Sequence, residues 1–281
     1  MTKKQDQARD PWENVNVQEE HAQATPTFPF IQWINGNTGL KQVHEVLASG
    51  GFGMPVEQFA AASADGVVPD SFASGPIIHK AGKETDAFLT NRLDVAVLAT
   101  RFRWTTLMGG QPVYHNDYRQ GARGKMQALV LVKDFDTLTP VMLTFSGLAT
   151  RYFSNTLNAF RQQVIAPASA LAKKKFPLYA FWMPVEAGEQ VEVGQQGASS
   201  FITPPVPSWN TEAVKDAEQR RQLLRGLFVG QEVIDRAAAL WNDAQAWAER
   251  WKNVPGPAVP AAEAGVEEPN GEAAEAEEIP F

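Results

Sequence analysis

Cysteine is absent from the 281 residues, which removes disulfides and thiolate-bound metal centres. Histidine is scarce as well. His21, His44, His79 and His115 lie far apart and show no HxxxH or HxH spacing, so surface or core positions are expected for them rather than metal ligation. No apolar run is long enough to span a bilayer, and the start Met1-Thr2-Lys3-Lys4-Gln5 leads into polar sequence, which predicts a cytoplasmic chain with no membrane partner. Gly50-Gly51-Phe52-Gly53 lacks the Lys and Ser/Thr of a phosphate-cradling loop and the spacing of a dinucleotide fingerprint, and it reads as a turn. Ser154 has no nucleophile-elbow context, and Asp134 and Asp136 fall in an ordinary turn. No catalytic residue, metal or cofactor is therefore expected.

What is present is a globular apolar fraction of 44% and an uneven distribution of charge. The net charge of −7 equals the seven glutamates found between residues 253 and 281, a stretch without Lys or Arg, so the rest of the chain is neutral. Residues 79 to 175 carry 14 Lys and Arg against 6 Asp and Glu. A basic middle and an acidic end attract each other, and such a tail can screen a cationic groove until a polyanion displaces it.

Residues 1 to 26 are polar and without apolar period, which predicts a disordered lead-in. From residue 27 to 208 short apolar runs alternate with Gly, Pro and Asn, the texture of a sheet, with strands expected at 95 to 107, 126 to 133, 140 to 146 and 176 to 183. Period-two geometry sets Arg101 and Arg103 on one strand face and Phe102 and Trp104 on the other; the aromatic pair is assigned to the core. After Gly147 the period becomes helical, with Phe153, Leu157, Phe160 and Val164 on one stripe and Pro167 as the stop. Residues 209 to 252 read as a helical region that Gly230 divides, its apolar stripe serving to pack on the sheet or, alternatively, as a protein-protein or homo-oligomer surface. Beyond it, Pro, Ala, Gly and Glu predict a disordered acidic tail over 253 to 281.

The segment from 109 to 125 mixes aromatic rings with cations in a glycine-rich stretch. Single-stranded nucleic acid offers base faces and phosphates, so Tyr114 and Tyr118 suit stacking while Arg119, Arg123 and Lys125 suit phosphates. Arg101 and Arg103 lead into this stretch and join the candidate set. Arg151 and Tyr152, expected to be exposed on the helix after Gly147, complete it. Lys173-Lys174-Lys175 form an outer basic run.

The final residues, Glu277-Glu278-Ile279-Pro280-Phe281, place an apolar tip behind acidic side chains. A partner's pocket would gain roughly 1.5 to 3 kcal/mol from burying such a Phe, and Pro280 limits the freedom lost on docking. This ending resembles the C-terminal peptide of bacterial single-stranded DNA-binding proteins, in which a short aspartate run precedes a terminal Ile-Pro-Phe; glutamates stand here in place of aspartates. The resemblance covers the tail alone. It implies single-stranded DNA as one partner, replication, recombination or repair proteins as others held by Glu277 to Phe281, and a nucleoid-associated location. An adaptor or a strand-annealing recombination protein would carry the same recruitment peptide. The expected fold is α+β, its β-rich core an OB-like barrel or curved antiparallel sheet, the barrel being preferred by analogy with the tail's family.

Overall fold

The computed structural model describes residues 28–36, 44–63, 66–78, 84–108, 111–193, 200–209 and 216–253. The disorder expected for 1 to 26 and beyond 253, and the recruitment residues Glu277, Glu278, Ile279, Pro280 and Phe281, lie outside the described residues. In chain order the elements are β1 (Phe30–Ile34), β2 (Gly51–Pro55), α1 (Val56–Ala62), β3 (Ala73–Ile78), β4 (Glu84–Thr90), β5 (Arg92–Met108), β6 (Gln111–His115), β7 (Arg123–Val132) and β8 (Val141–Ser146). There follow α2 (Leu148–Phe160), α3 (Ala166–Ala172), β9 (Met183–Ala187), β10 (Val191–Val193), β11 (Ser200–Ile202), β12 (Pro205–Pro207), α4 (Ala217–Leu227) and α5 (Gln231–Asn253). The fold is α+β.

Among the described residues ten strands form one sheet in the order β12-β9-β5-β7-β8-β1-β2-β4-β3, with β6 attached to β5, while β10 and β11 form a separate ribbon. Every pairing among them is antiparallel except that of β1 with β8. The path has two ends, so no barrel closes among the described residues, and the sheet alternative to the OB-like barrel is the one compatible with this topology.

Strand β5 organises the molecule because its 17 residues outrun any single neighbour. Its first residues pair with β9, Val95 to Thr105 pair with β7, and Trp104 to Met108 pair with β6. The pairing with β7 slips at one place: Val97 faces Val130 but Ala99 faces Leu129, leaving Leu98 as an extra residue in a β-bulge. Leu98 and Ala99 consequently belong to the same buried cluster.

Helices cover both faces of the sheet. On one, Phe153, Leu157, Phe160 and Val164 pack with Val95, Val97, Val130 and Phe145, and Phe145 stacks on Phe153 at 4.0 Å. On the other, Val233, Ala237, Ala244 and Trp247 of α5 pack with Ala96, Leu98, Leu129 and Leu131. Most of the α5 apolar stripe is thus covered within the chain, with Trp241 left 39% exposed, and α4 contributes Leu224 and Leu227 to the first core.

Three local expectations change. Residues 176 to 182 are not a strand: a 3-10 turn at Leu178–Ala180 leads to a crossing point where Phe181 enters one core and Trp182 the other. Apolar side chains on both sides mimic a central strand, whereas the backbone here bonds to the α4 end through Trp182 N–H to Leu227 O at 2.7 Å. Pro167 does not stop the helix, which passes through a π-helical turn at Arg161–Ile165 into α3 and ends at Lys173 in the left-handed conformation. The wider turn accommodates a residue that has no N–H to donate. Finally, only Gly50, at φ +93°, behaves as the expected turn; Gly51 to Gly53 open β2.

Candidate functional site

The candidate residues gather where β5, β6 and the start of β7 extend as an arm beyond the main core. The segment expected to be a loop begins as a strand, because Gln111 to His115 pair with Met108 to Trp104 in a hairpin. Register then assigns faces. Arg101 lies opposite Gln127, Arg103 opposite Lys125, Thr105 opposite both Arg123 and Tyr114, and Trp104 opposite Gly124 and His115.

One face brings Arg101, Arg103, Tyr114 and Lys125 together, and α5 closes over it. The Arg101 guanidinium lies 3.9 Å from the ring centre of Trp247 and 4.4 Å from that of Trp251. It donates from Nη1 to the Trp247 carbonyl at 3.0 Å and from Nε to Gln127 Oε1 at 2.8 Å. Arg103 is only 2% exposed, with its guanidinium 5.8 Å from the Trp251 ring. Tyr114 contacts Trp251 at 5.9 Å, and Lys125 Nζ sits 5.7 Å from the Tyr114 ring centre. A planar guanidinium between indoles exchanges water for π faces and carbonyl oxygens, an exchange a compact ammonium makes less readily.

Burial pushes Arg101 down to about 10, the nearby charge of Arg103 adds to the shift, and Tyr114 opposes it. Burial likewise lowers Arg103. Since the folded value of Arg101 lies below that of a free guanidinium, the fold disfavours its charged form. The group's contribution to stability is therefore lowest below about pH 10 and recovers as pH rises further, with no change across the neutral range.

The other face is open and aromatic. Phe102 and Trp104 meet edge to face at 5.1 Å, and Trp104 meets Tyr118 at 5.0 Å. Phe102 is 46% exposed and Tyr118 63%. These rings correct the assignment of Phe102 and Trp104 to the core, just as the burial of Arg103 corrects the expectation of an open cationic strand face. Gly124 permits the arrangement, because a Cβ there would stand 3.0 Å from both the Phe102 ring and Thr150 Oγ1. That approach also brings the ladder to the N-terminal end of α2, which is anchored by Gly147 N–H to Gly124 O at 2.8 Å.

Most of the remaining candidates border this open face, whereas Arg123, opposite Thr105, shares the face of Arg101 and Lys125. Arg119 follows Tyr118 and is exposed; Arg123 is exposed on the strand entering Gly124; Arg151 is exposed in the first turn of α2, and Tyr152 beside it is half-buried. The structure thus splits the nine candidate nucleic-acid residues. Arg101, Arg103, Tyr114 and Lys125 sit together under α5, with Arg123 at the exposed end of the same face, while Tyr118, Arg119, Arg151 and Tyr152 lie on or beside the open aromatic face. Sequence reasoning missed Phe102 and Trp104 as surface rings and Trp247 and Trp251 as the cover. The spacing of the two tryptophans by four on one helix face was the available signal for the latter.

No protein-family model, curated protein or solved structure matches the chain.

Proposed function

We propose that this protein binds single-stranded DNA with little sequence preference, protects it, and presents its acidic Ile-Pro-Phe ending to replication, recombination or repair proteins. The exposed ladder of Phe102, Trp104 and Tyr118 beside Arg119 and Arg151 carries the reading. Three adjoining rings, two of them broadly open to water, form a surface on which unpaired bases stack, and the flanking guanidiniums suit phosphates. A duplex hides its base faces and gains nothing from such a ladder. The OB-like barrel is not required, since a strand arm with an aromatic face offers the same chemistry.

Fluorescence anisotropy with labelled oligo-dT, duplex DNA and RNA at two salt concentrations tests the proposal. The expected result is oligo-dT binding that weakens with salt and is lost with Phe102→Ala and Tyr118→Ala combined. Absence of oligo-dT binding in dilute buffer overturns it, and recruitment of replication proteins without such binding would favour the adaptor reading.

A further inference from the structure

A second surface, sharing no lining residue with the arm, lies where α3 passes α4. An open groove of about 340 Å³ is lined by Leu171, Phe181, Leu224 and Phe228 and by Arg221 and Arg225. Its apolar wall is not fully used by the fold, for Leu171 is 52% exposed and Phe228 40%. Its rim is basic. Arg221 and Arg225 share one carboxylate, Glu218, at 3.5 and 3.7 Å, so the trio keeps one net positive charge. Lys174 adds another, its Nζ lying 4.7 Å from the ring of Phe176, which in turn meets Phe228 at 6.3 Å.

An apolar trough with a cationic margin suits a peptide in which glutamates lead into large apolar side chains. This chain contains such a peptide: Glu272, Glu275, Glu277 and Glu278 precede Ile279-Pro280-Phe281. The chain length permits a return. Helix α5 starts three residues after Phe228 and, at 1.5 Å per residue, carries the chain on the order of 30 Å from the groove. The 28 residues beyond Asn253 reach at most on the order of 90 Å.

We propose that the segment from Glu272 to Phe281 docks in this groove of its own chain, with Ile279 and Phe281 against Leu171, Leu224 and Phe228 and the glutamates against Arg221 and Arg225. The cationic face of the arm, the other attractive destination for an acidic tail, is occupied by Trp247 and Trp251. Docking at α3 and α4 leaves the aromatic ladder free and makes partner proteins compete with the chain's own body. Tethering raises the local concentration of the tip, so even a weak interaction is populated until a partner displaces it.

A photoreactive benzoylphenylalanine in place of Phe281 in the full chain tests this without DNA, so its outcome is independent of oligo-dT binding. Irradiation is expected to yield a product that migrates as a single chain, with cross-links mapped to Ala166–Ala172, Ala217–Leu227 or Phe228. Reversing the rim with Arg221→Glu and Arg225→Glu should lower the yield by about tenfold, and added salt should lower it in the wild type. Unchanged melting of the double variant establishes that it is folded, and the salt series stands without it. Cross-links to Phe102 or Tyr118, cross-linked dimers, or no cross-link overturn the proposal.

Discussion

Two faces of one strand arm differ in the opposite sense from their side-chain polarity. Arg101 and Arg103 are covered, whereas Phe102, between them in sequence, faces water. Polarity alone would reverse this. What decides exposure is the element that arrives over each face: α5 brings Trp247 and Trp251 over the arginines, while α2 ends beside Gly124 and leaves the rings open. A guanidinium tolerates that cover because it stacks and donates at once, and Arg101 does both with Trp247. No such compensation exists for exposed phenyl and indole surface, which is why the open face, and not the charged one, is the better candidate for a ligand.

The sharpest way to break this contrast is to remove the cover. Trp247→Ala should destabilise the protein by about 3 to 5 kcal/mol in urea denaturation, because it opens a cavity between α5 and the sheet and strips Arg101 of one of the two indoles that cover it. A loss below about 1 kcal/mol would show that α5 is not a fixed lid. On the open face the expectation inverts: Tyr118→Ala should leave the denaturation midpoint nearly unchanged yet cost about 1 to 3 kcal/mol of oligo-dT affinity. Neutralising Arg119 and Arg151 to Gln should flatten the dependence of binding on salt by roughly 0.7 for each phosphate that is no longer neutralised. Charge removal at Lys125, beside Tyr114 on the closed face, should leave that slope in place; a matching decrease would mean that the closed face opens on binding. The smallest change is expected from deleting residues 272 to 281, which should preserve or slightly tighten DNA affinity. Weaker binding would reverse the role assigned to the tail.

Much of the fold was legible because its determinants are local. The strands β5, β7 and β8, the stripe of Phe153, Leu157, Phe160 and Val164, and the division at Gly230 all follow from period and turn chemistry. Residues 176 to 182 failed because a segment passing between two cores shows the same two-sided apolarity as a buried strand. The candidate site was half legible: Arg101, Arg103, Tyr114 and Lys125 do converge, but the tryptophans that converge on them lie more than 120 positions later in the chain. Strand periodicity separated arginines from rings without saying which set α5 would claim.

That choice turns on the bulge at Leu98. Strict alternation from Val95 would have ranged Phe102 and Trp104 with Ala96 and Leu98, beneath α5, and turned Arg101 and Arg103 toward the α2 side. A single inserted residue inverts the parity of everything downstream, so one codon acts as the switch between a greasy and a charged outer surface. The arm's surface chemistry is in that sense written in a count of residues rather than in their identities.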